Sequence, residues 1–157
     1  MFGGVMSDLP QTSTDERRYE HSDLTESVIG VFYEVYRELG HGFLENVYEQ
    51  GMVVALKAKG LEVQQQVPVP VWFRGVKIGA YEADLVVSGI LLLELKVCRA
   101  LDSSHEAQLL NYLRCTELEI GLLMNFGPRP QVRRFVFQND RKKISVHLRS
   151  SVAKGVS

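Results

Sequence analysis

The chain has 157 residues, of which 45% are hydrophobic and 24% charged, the composition of a soluble globular protein with a single core. No apolar run approaches the roughly 20 residues of a membrane-spanning helix, and the start lacks the basic-then-apolar pattern of a signal peptide. We therefore expect no membrane association and a cytoplasmic location. The two cysteines, Cys98 and Cys115, form no Cys-x-x-Cys pair and indicate neither a disulfide framework nor a zinc site.

The net charge of −1 conceals an uneven distribution along the chain. Residues 1–50 carry 10 acidic and 3 basic side chains, whereas residues 127–157 carry 1 acidic and 8 basic side chains. A basic segment of this kind can lie along a phosphate backbone, although such a run is as often a solvated face. Charge alone leaves both interpretations open.

Three segments differ in composition and periodicity. Residues 1–21 are polar and show no sustained period, so we expect a mobile leader outside the domain. Residues 22–149 carry regular apolar patterns and are predicted to form a single α/β domain. The last segment, 150–157, is predicted to fray.

Apolar residues recur every three or four positions between residues 23 and 40, which predicts an amphipathic helix. Ser22 or Asp23 is placed to cap its start, and Glu26 is placed to complete a capping box. Gly40 is predicted to end the helix in a left-handed conformation.

A second helix is predicted from the segment Gly42-Phe-Leu-Glu45-Asn-Val-Tyr48 to Gly60. Glu45 and Tyr48 are three residues apart and so share a face of this helix. Taken singly, a helical glutamate is usually exposed to solvent, and Tyr48 is expected to be half-buried with its hydroxyl at the rim.

Residues 61–73 alternate valines with polar residues or prolines, as in a strand with one wet face. Pro68 and Pro70 cannot donate a hydrogen bond to a neighbouring strand, so this strand is predicted to lie at an edge of the sheet or to be broken there. Arg74-Gly75 is typical of a turn into a second strand, and a third strand completes an antiparallel meander.

The second and third strands, 76–87 and 90–97, form a predicted hairpin that carries Asp84, Glu94 and Lys96. Side chains alternate along a strand, so Glu94 and Lys96 project from one face, expected to be polar, while leucines project from the other, expected to be core. An unpaired buried carboxylate costs on the order of several kcal/mol. Lys96 supplies one compensating charge, and a divalent ion held by carboxylate oxygens, which Mg²⁺ prefers, can supply the rest.

The turn of this hairpin decides whether the two carboxylates face one another. A two-residue turn at Ser88-Gly89 pairs Asp84 with Leu93, which places Asp84 on the wrong face. A three-residue turn ending at Ile90 pairs Asp84 with Glu94. The sequence therefore predicts a three-residue turn or a bulge.

The segment Ser103-Ser-His-Glu106 matches a capping box and predicts the start of a third helix that ends near Cys115. Gln108 and Tyr112 are four residues apart and therefore share a face of this helix. His105 is expected in the first helical turn, with no catalytic role.

The remaining apolar segments are predicted to be strands. Residues 119–125 form a short buried strand, expected to run parallel to the third strand because a helix connects the two. Residues 132–138 alternate as an amphipathic strand, and residues 144–148 can add another.

Several of these features occur together in one order along the chain. They are Gly42-x-x-Glu45-x-x-Tyr48, then Asp84, then Glu94-x-Lys96, then Gln108-x-x-x-Tyr112. Each piece is common alone, but the joint order resembles the GxxExxY protein family of the PD-(D/E)XK nuclease superfamily. One departure is His41, where that family has a proline. The resemblance covers residues 23–138 and implies a restriction-endonuclease-like α/β (α+β) fold, an α-β-β-β-α-β core with a mixed central sheet flanked by helices.

The resemblance also implies metal-assisted hydrolysis of phosphodiester bonds. The implied catalytic side chains are Glu45, Asp84, Glu94 and Lys96. The three carboxylates, with the backbone carbonyl of Leu95, would hold one or two Mg²⁺ ions, for which Mn²⁺ can substitute. Three further side chains would position the substrate: Gln108, Tyr112 and Tyr48.

Nucleic acid is the implied partner, and DNA is favoured over RNA. The small net charge suggests a weak intrinsic affinity for nucleic acid, which leaves room for a protein partner. The alternative is a catalytically silent nuclease-fold module that binds nucleic acid or a protein. An intact set of carboxylates and lysine argues against it, because buried charge without function is costly.

Overall fold

The computed structural model describes residues 21–142 of the chain. The elements within them are α1 (Ser22–Leu39), α2 (Glu45–Ala58), β1 (Val63–Phe73), β2 (Val76–Val87), β3 (Leu91–Lys96), α3 (Ser103–Arg114), β4 (Ile120–Asn125), β5 (Gln131–Val136) and a short 3-10 helix, Asn139–Arg141. The predicted leader up to residue 20, the strand at 144–148 and the tail at 150–157 lie outside the described residues. Among residues 21–142, no helix has the length and apolar character needed to cross a membrane.

The strands form one mixed sheet in the order β1-β2-β3-β4-β5. β3 and β4 are parallel, and the other neighbouring strands are antiparallel. The parallel pair arises because α3 carries the chain back across the sheet before β4 begins. The predicted α+β core is therefore confirmed, and so is the position of β1, with Pro68 and Pro70, at an edge of the sheet.

β1 and β2 extend beyond the rest of the sheet. They pair between Val63 and Phe73 of β1, with Gln66 left out of the register, whereas β2 pairs with β3 only at Leu85–Val87. Residues 67–83 of the hairpin, which we call the arm, therefore continue as two strands past the edge of β3. The predicted turn at Arg74-Gly75 closes the arm, and both of its residues have positive φ, 50° and 77°.

Both faces of the sheet are covered by helices. The larger cluster of buried side chains lies under α1 and α2 and includes Phe32, Tyr48 and Phe126. A smaller cluster lies under α3 and includes Leu92. Leu92 is fully buried and shares its face of β3 with Glu94. The expectation of a wholly polar face is therefore wrong, because α3 packs on that face and buries its apolar side chains.

The start of α1 differs from the prediction. Its N-cap residue is His21, and no side chain caps the helix. The hydroxyl of Thr25 donates a hydrogen bond to the His21 carbonyl at 2.8 Å, so neither Ser22 nor Asp23 forms the predicted capping box. Gly40 follows the helix with φ 70° and ψ −178°. Its positive φ agrees with the prediction, but its ψ is extended and not left-handed helical.

The start of α3 is capped one residue earlier than predicted. The Asp102 carboxylate accepts hydrogen bonds from the backbone N–H groups of Ser104 at 2.8 Å and His105 at 3.2 Å. The His105 ring nitrogen Nδ1 accepts one from the Asp102 N–H at 3.1 Å. Histidine thus takes the place that glutamate usually has in a capping box, which gives His105 a structural role.

Candidate active site

The turn between β2 and β3 has the three residues that are needed to place Asp84 opposite Glu94. Leu85 pairs with Leu93, and Val87 pairs with Leu91, so the turn spans residues 88–90. The Ile90 N–H donates a hydrogen bond to the Val87 carbonyl at 3.0 Å. This register is the predicted one, and it brings Asp84 and Glu94 to opposing positions.

Beyond Leu85, side chains replace the backbone ladder between the two strands. The Asp84 carboxylate accepts a hydrogen bond from the Leu95 N–H at 2.8 Å. The Glu94 carboxylate accepts a longer one from the Asp84 N–H at 3.3 Å. The strands separate at this point because β2 continues into the arm. Both carboxylates therefore lie in the fork between β2 and β3, with Glu94 buried and Asp84 half-buried.

The fork is electrostatically unfavourable for two negative charges. Burial, with the nearby charge of Asp84, raises the pKa of Glu94 from 4.5 to about 8. Burial also raises the pKa of Asp84, although the Leu95 N–H and the Lys96 charge oppose that change. Among the described residues, the Glu94 oxygen Oε2 has no hydrogen-bond partner. A buried carboxylate with one unpartnered oxygen favours either a proton or a cation.

Lys96 lies at the open end of the fork and is held by α3. Its ammonium donates a hydrogen bond to the Gln108 side-chain oxygen at 3.1 Å. The Gln108 amide nitrogen donates one to the Tyr112 hydroxyl at 2.8 Å. The shared face of Gln108 and Tyr112 is thus confirmed. These three residues form a continuous row, which we call the Lys96–Tyr112 relay.

Tyr112 is nearly buried, with 4% of its surface exposed. Burial and then the charge of Glu94 raise the pKa of its hydroxyl, which keeps the group protonated at neutral pH. Because that hydroxyl accepts from Gln108, its own proton is left to donate, and no acceptor for it lies within residues 21–142.

Glu45 lies on a different element from the two carboxylates in the fork but interacts with both electrostatically. It occupies the first turn of α2 and is exposed to solvent, yet its pKa is raised by partial burial and by the charge of Asp84. Within the described part of the chain, no group of three or more Asp, Glu, His or Cys side chains could hold a metal ion. The predicted set of three carboxylates is therefore not gathered. Asp84 and Glu94 instead accept hydrogen bonds from backbone N–H groups, and the charge of Glu45 adds to the rise in the pKa of Glu94.

Tyr48 is not placed to touch a substrate. It is completely buried and stacks on Phe126 with ring centroids 4.5 Å apart. Its hydroxyl donates to the Gly40 carbonyl at 2.6 Å and accepts from the Phe43 N–H at 3.2 Å. The predicted half-burial and the direct positioning of substrate are corrected accordingly. Tyr48 instead fixes the connection between α1 and α2, which leads into Glu45 at the start of α2.

Glu49 and Gln66 were missed by the sequence analysis. Glu49 lies one turn after Glu45 on α2 and accepts a hydrogen bond from the Gln66 amide. Its pKa is raised by burial and by the charge of Asp84. Gln66 lies between the two residues of β1 that pair on either side of Asp84. The spacing of four residues between Glu45 and Glu49 was a signal that could have indicated Glu49. The contact between Glu49 and Gln66 of β1 is long-range, so no local pattern could have indicated Gln66.

A five-stranded mixed sheet flanked by three helices is consistent with a restriction-endonuclease-like fold. A family model described as the PD-(D/E)XK nuclease superfamily matches residues 22–135, and the chain belongs to that superfamily. Its members are generally hydrolytic nucleases that typically use divalent metals, so membership indicates nuclease activity on a nucleic acid.

Comparisons with individual proteins add little to this assignment. No curated protein matches the sequence. A solved structure titled "Crystal structure of SSO0001" is similar, with 21% identity, over 89% of this chain and 69% of that one, at a TM-score of 0.47. The superfamily assignment rests on the sequence match together with the observed fold.

Proposed function

We propose that the protein is a metal-dependent nuclease that hydrolyses phosphodiester bonds, with DNA favoured over RNA. The observation that carries the proposal is the pairing of the fork with the relay. Asp84 and Glu94 lie opposite one another. Lys96, which follows Glu94 by two residues on β3, is held in place by Gln108. Two neighbouring carboxylates, Glu94 buried and Asp84 half-buried, cost stability that Lys96 only partly offsets, and catalysis would account for that cost.

The donor set of the fork suits a hard divalent ion. Asp84 and Glu94 would hold Mg²⁺, with Mn²⁺ able to substitute, because each offers a carboxylate oxygen that makes no hydrogen bond among the described residues. A strand residue directs its N–H and C=O to the same side, so the bond from the Leu95 N–H to Asp84 also brings the Leu95 carbonyl to that side. Glu45 would contribute through a change of its side-chain conformation or through water.

The bound ion would polarise the phosphate and neutralise charge. The chain's own side chains would do the rest. Lys96 would position the attacking water and offset negative charge that develops on the phosphate as the new P–O bond forms and the old one breaks. Gln108 would hold the ammonium in place. Tyr112 would donate a hydrogen bond from its hydroxyl to a phosphate oxygen. Both are contributions of positioning.

We also propose that the chain belongs to the GxxExxY family within the superfamily. The segment Gly42 to Tyr48 carries that pattern. In this interpretation Glu45 is the helical carboxylate that serves the fork, and Tyr48 supports it from the core. His41 departs from the family pattern but lies before α2, where it would affect the start of the helix and not the chemistry.

A nuclease-fold module that binds without cutting is the second candidate. The observation that favours it is that the described residues form no group of three side chains able to hold a metal ion, with Glu45 exposed to solvent. A module of this kind would bind nucleic acid or a protein with no requirement for metal.

Cleavage of labelled single- and double-stranded DNA and RNA, in Mg²⁺ or Mn²⁺ and in EDTA, separates the two candidates. The wild type should cut at least one substrate only with metal, and Glu94→Gln and Lys96→Ala should abolish cutting. Glu26→Gln and Lys57→Ala, two exposed positions on α1 and α2, serve as matched controls. The binding module would be supported if the well-folded wild type cuts none of the substrates and its melting temperature does not rise when metal is added.

A further inference from the structure

Tyr81 lies on the arm, at the point where the arm passes over α3. It belongs to β2 and pairs with Val69 of β1. Val69 is buried in the cluster under α3, together with Ala83. Because cross-strand partners project from the same face, Tyr81 also projects toward α3. Its ring contacts the Tyr112 ring, with centroids 5.3 Å apart and planes inclined at 49°.

This contact extends the Lys96–Tyr112 relay to the protein surface. Tyr112 has 4% of its surface exposed, whereas Tyr81 has 45% exposed. One part of the Tyr81 ring is thus fixed against the relay, while nearly half of the residue remains open to solvent. The ring is therefore the accessible aromatic group at the end of a row that begins at Lys96.

We propose that Tyr81 stacks on a nucleobase of the bound strand, next to the phosphate that is cut. Bases stack on aromatic rings with little regard to sequence, and loss of one such contact typically weakens binding about tenfold. In a duplex the faces of the bases are covered by their neighbours. The preferred substrate is therefore a single strand, or a frayed duplex end, whose base can leave its own stack. This inference rests on the proposed nuclease function.

The competing role for Tyr81 is structural, as a ring that only supports Tyr112. The two roles have different kinetic consequences. A support for Tyr112 acts on the relay, so its loss lowers kcat and has the same effect on every substrate. A stacking residue acts on binding, so its loss raises KM and Kd and matters only where a base is present.

The test compares a normal labelled single strand with an abasic strand of the same length. Kd is measured by fluorescence anisotropy in EDTA, where a metal-dependent enzyme does not cut, and kcat and KM are measured in Mg²⁺. The proteins are the wild type, Tyr81→Leu, Tyr81→Phe and the control Tyr33→Leu. Tyr33 is a tyrosine of similar exposure, 36%, on α1.

We expect Tyr81→Leu to raise Kd and KM about tenfold on the normal strand, with kcat little changed. Tyr81→Phe and Tyr33→Leu should behave as the wild type. On the abasic strand, wild type and Tyr81→Leu should bind equally, and the wild type should bind that strand about tenfold more weakly than the normal one.

Equal affinity of the wild type for the two strands would overturn the inference without reference to any variant. A fall in kcat for Tyr81→Leu at unchanged KM would also overturn it, in favour of the structural role. Absence of cutting by the wild type, with Tyr81-dependent binding intact, would instead refute the nuclease proposal and leave the stacking contact standing.

Discussion

The two faces of the sheet are built for different purposes. The face under α1 and α2 is filled by aliphatic and aromatic side chains, and the Phe126 ring contacts both Phe32 and Tyr48. The face under α3 carries a smaller apolar cluster, and beside it lie Glu94 and Lys96. The first face can stabilise the fold because it buries almost no charge, which allows the second to accommodate groups that oppose folding.

This comparison predicts that mutations on the two faces separate stability from activity. Changes under α1 and α2 should reduce stability and leave the chemistry of the folded fraction intact. Changes in the fork and relay should impair the chemistry without reducing the stability of the fold.

Phe32→Ala should have the largest effect on stability. The side chain is completely buried and contacts the Phe126 ring at a centroid distance of 4.6 Å. Its removal should lower the free energy of unfolding by about 3–5 kcal/mol, as measured by urea denaturation. The turnover per folded molecule should remain that of the wild type, and a fall in that turnover would contradict the separation of the two faces.

Glu94→Gln should stabilise the metal-free protein increasingly as the pH rises. The pKa of Glu94 in the folded state, about 8, lies above its ordinary value of 4.5. Between these values the folded protein binds more protons than the unfolded chain, so the free energy of unfolding falls as the pH rises through this window. Glu94→Gln has no carboxylate to ionise, so its free energy of unfolding does not fall in this way. The difference in free energy of unfolding between the variant and the wild type should grow by up to about 1.4 kcal/mol per pH unit.

Urea denaturation in EDTA at several pH values between 5 and 8 measures this gain. Glu26→Gln, an exposed glutamate on α1, is the control and should follow the wild type. If the free energies of unfolding of Glu94→Gln and wild type change in parallel with pH, the folded protein does not raise the pKa of Glu94.

Tyr48→Phe should reduce stability by about 1–3 kcal/mol, because it leaves the Gly40 carbonyl and the Phe43 N–H without the hydroxyl. It should also loosen the start of α2, where hydrogen exchange at the backbone of residues 43–47 would report the change. Unchanged exchange there would argue against Tyr48 as the residue that fixes the position of Glu45. Tyr36→Phe, which loses bonds to Gly127 and Pro128, controls for loss of a tyrosine hydroxyl elsewhere.

Gln108→Leu should lower kcat by about tenfold while KM changes little. The substitution keeps the approximate size of the side chain but removes the bonds to Lys96 and Tyr112. Asn111→Leu, at an exposed position of the same helix, is the matched control. A KM effect without a kcat effect would mean that Gln108 contacts substrate and does not position Lys96.

Local chemistry made much of this arrangement predictable. The need to place Asp84 opposite Glu94 fixed a three-residue turn, and two prolines fixed β1 at an edge. The spacing of Gln108 and Tyr112 fixed their common face. Each of these inferences uses only neighbouring residues and the periods of strands and helices.

The features that were missed depend on residues that are distant in sequence. Tyr48 is buried because Phe126, after β4, stacks on it. Glu49 is held by Gln66 of β1, and Leu92 is covered by α3. The position of Glu45 depends on how α2 docks on the sheet, which no local pattern specifies. Asp102 was missed as the N-cap for a different reason, because histidine replaces the usual partner in its capping box.

Mg²⁺-dependent cleavage of a labelled single strand by Lys96→Met tests the central claim most directly. Methionine keeps the approximate length of the side chain and removes the charge that Gln108 holds beside the fork. Wild type and Lys57→Met should release product in Mg²⁺ and not in EDTA, whereas Lys96→Met should release none while it melts as a folded protein. Equal product from Lys96→Met and wild type would contradict the assignment of the fork and the relay as the active site.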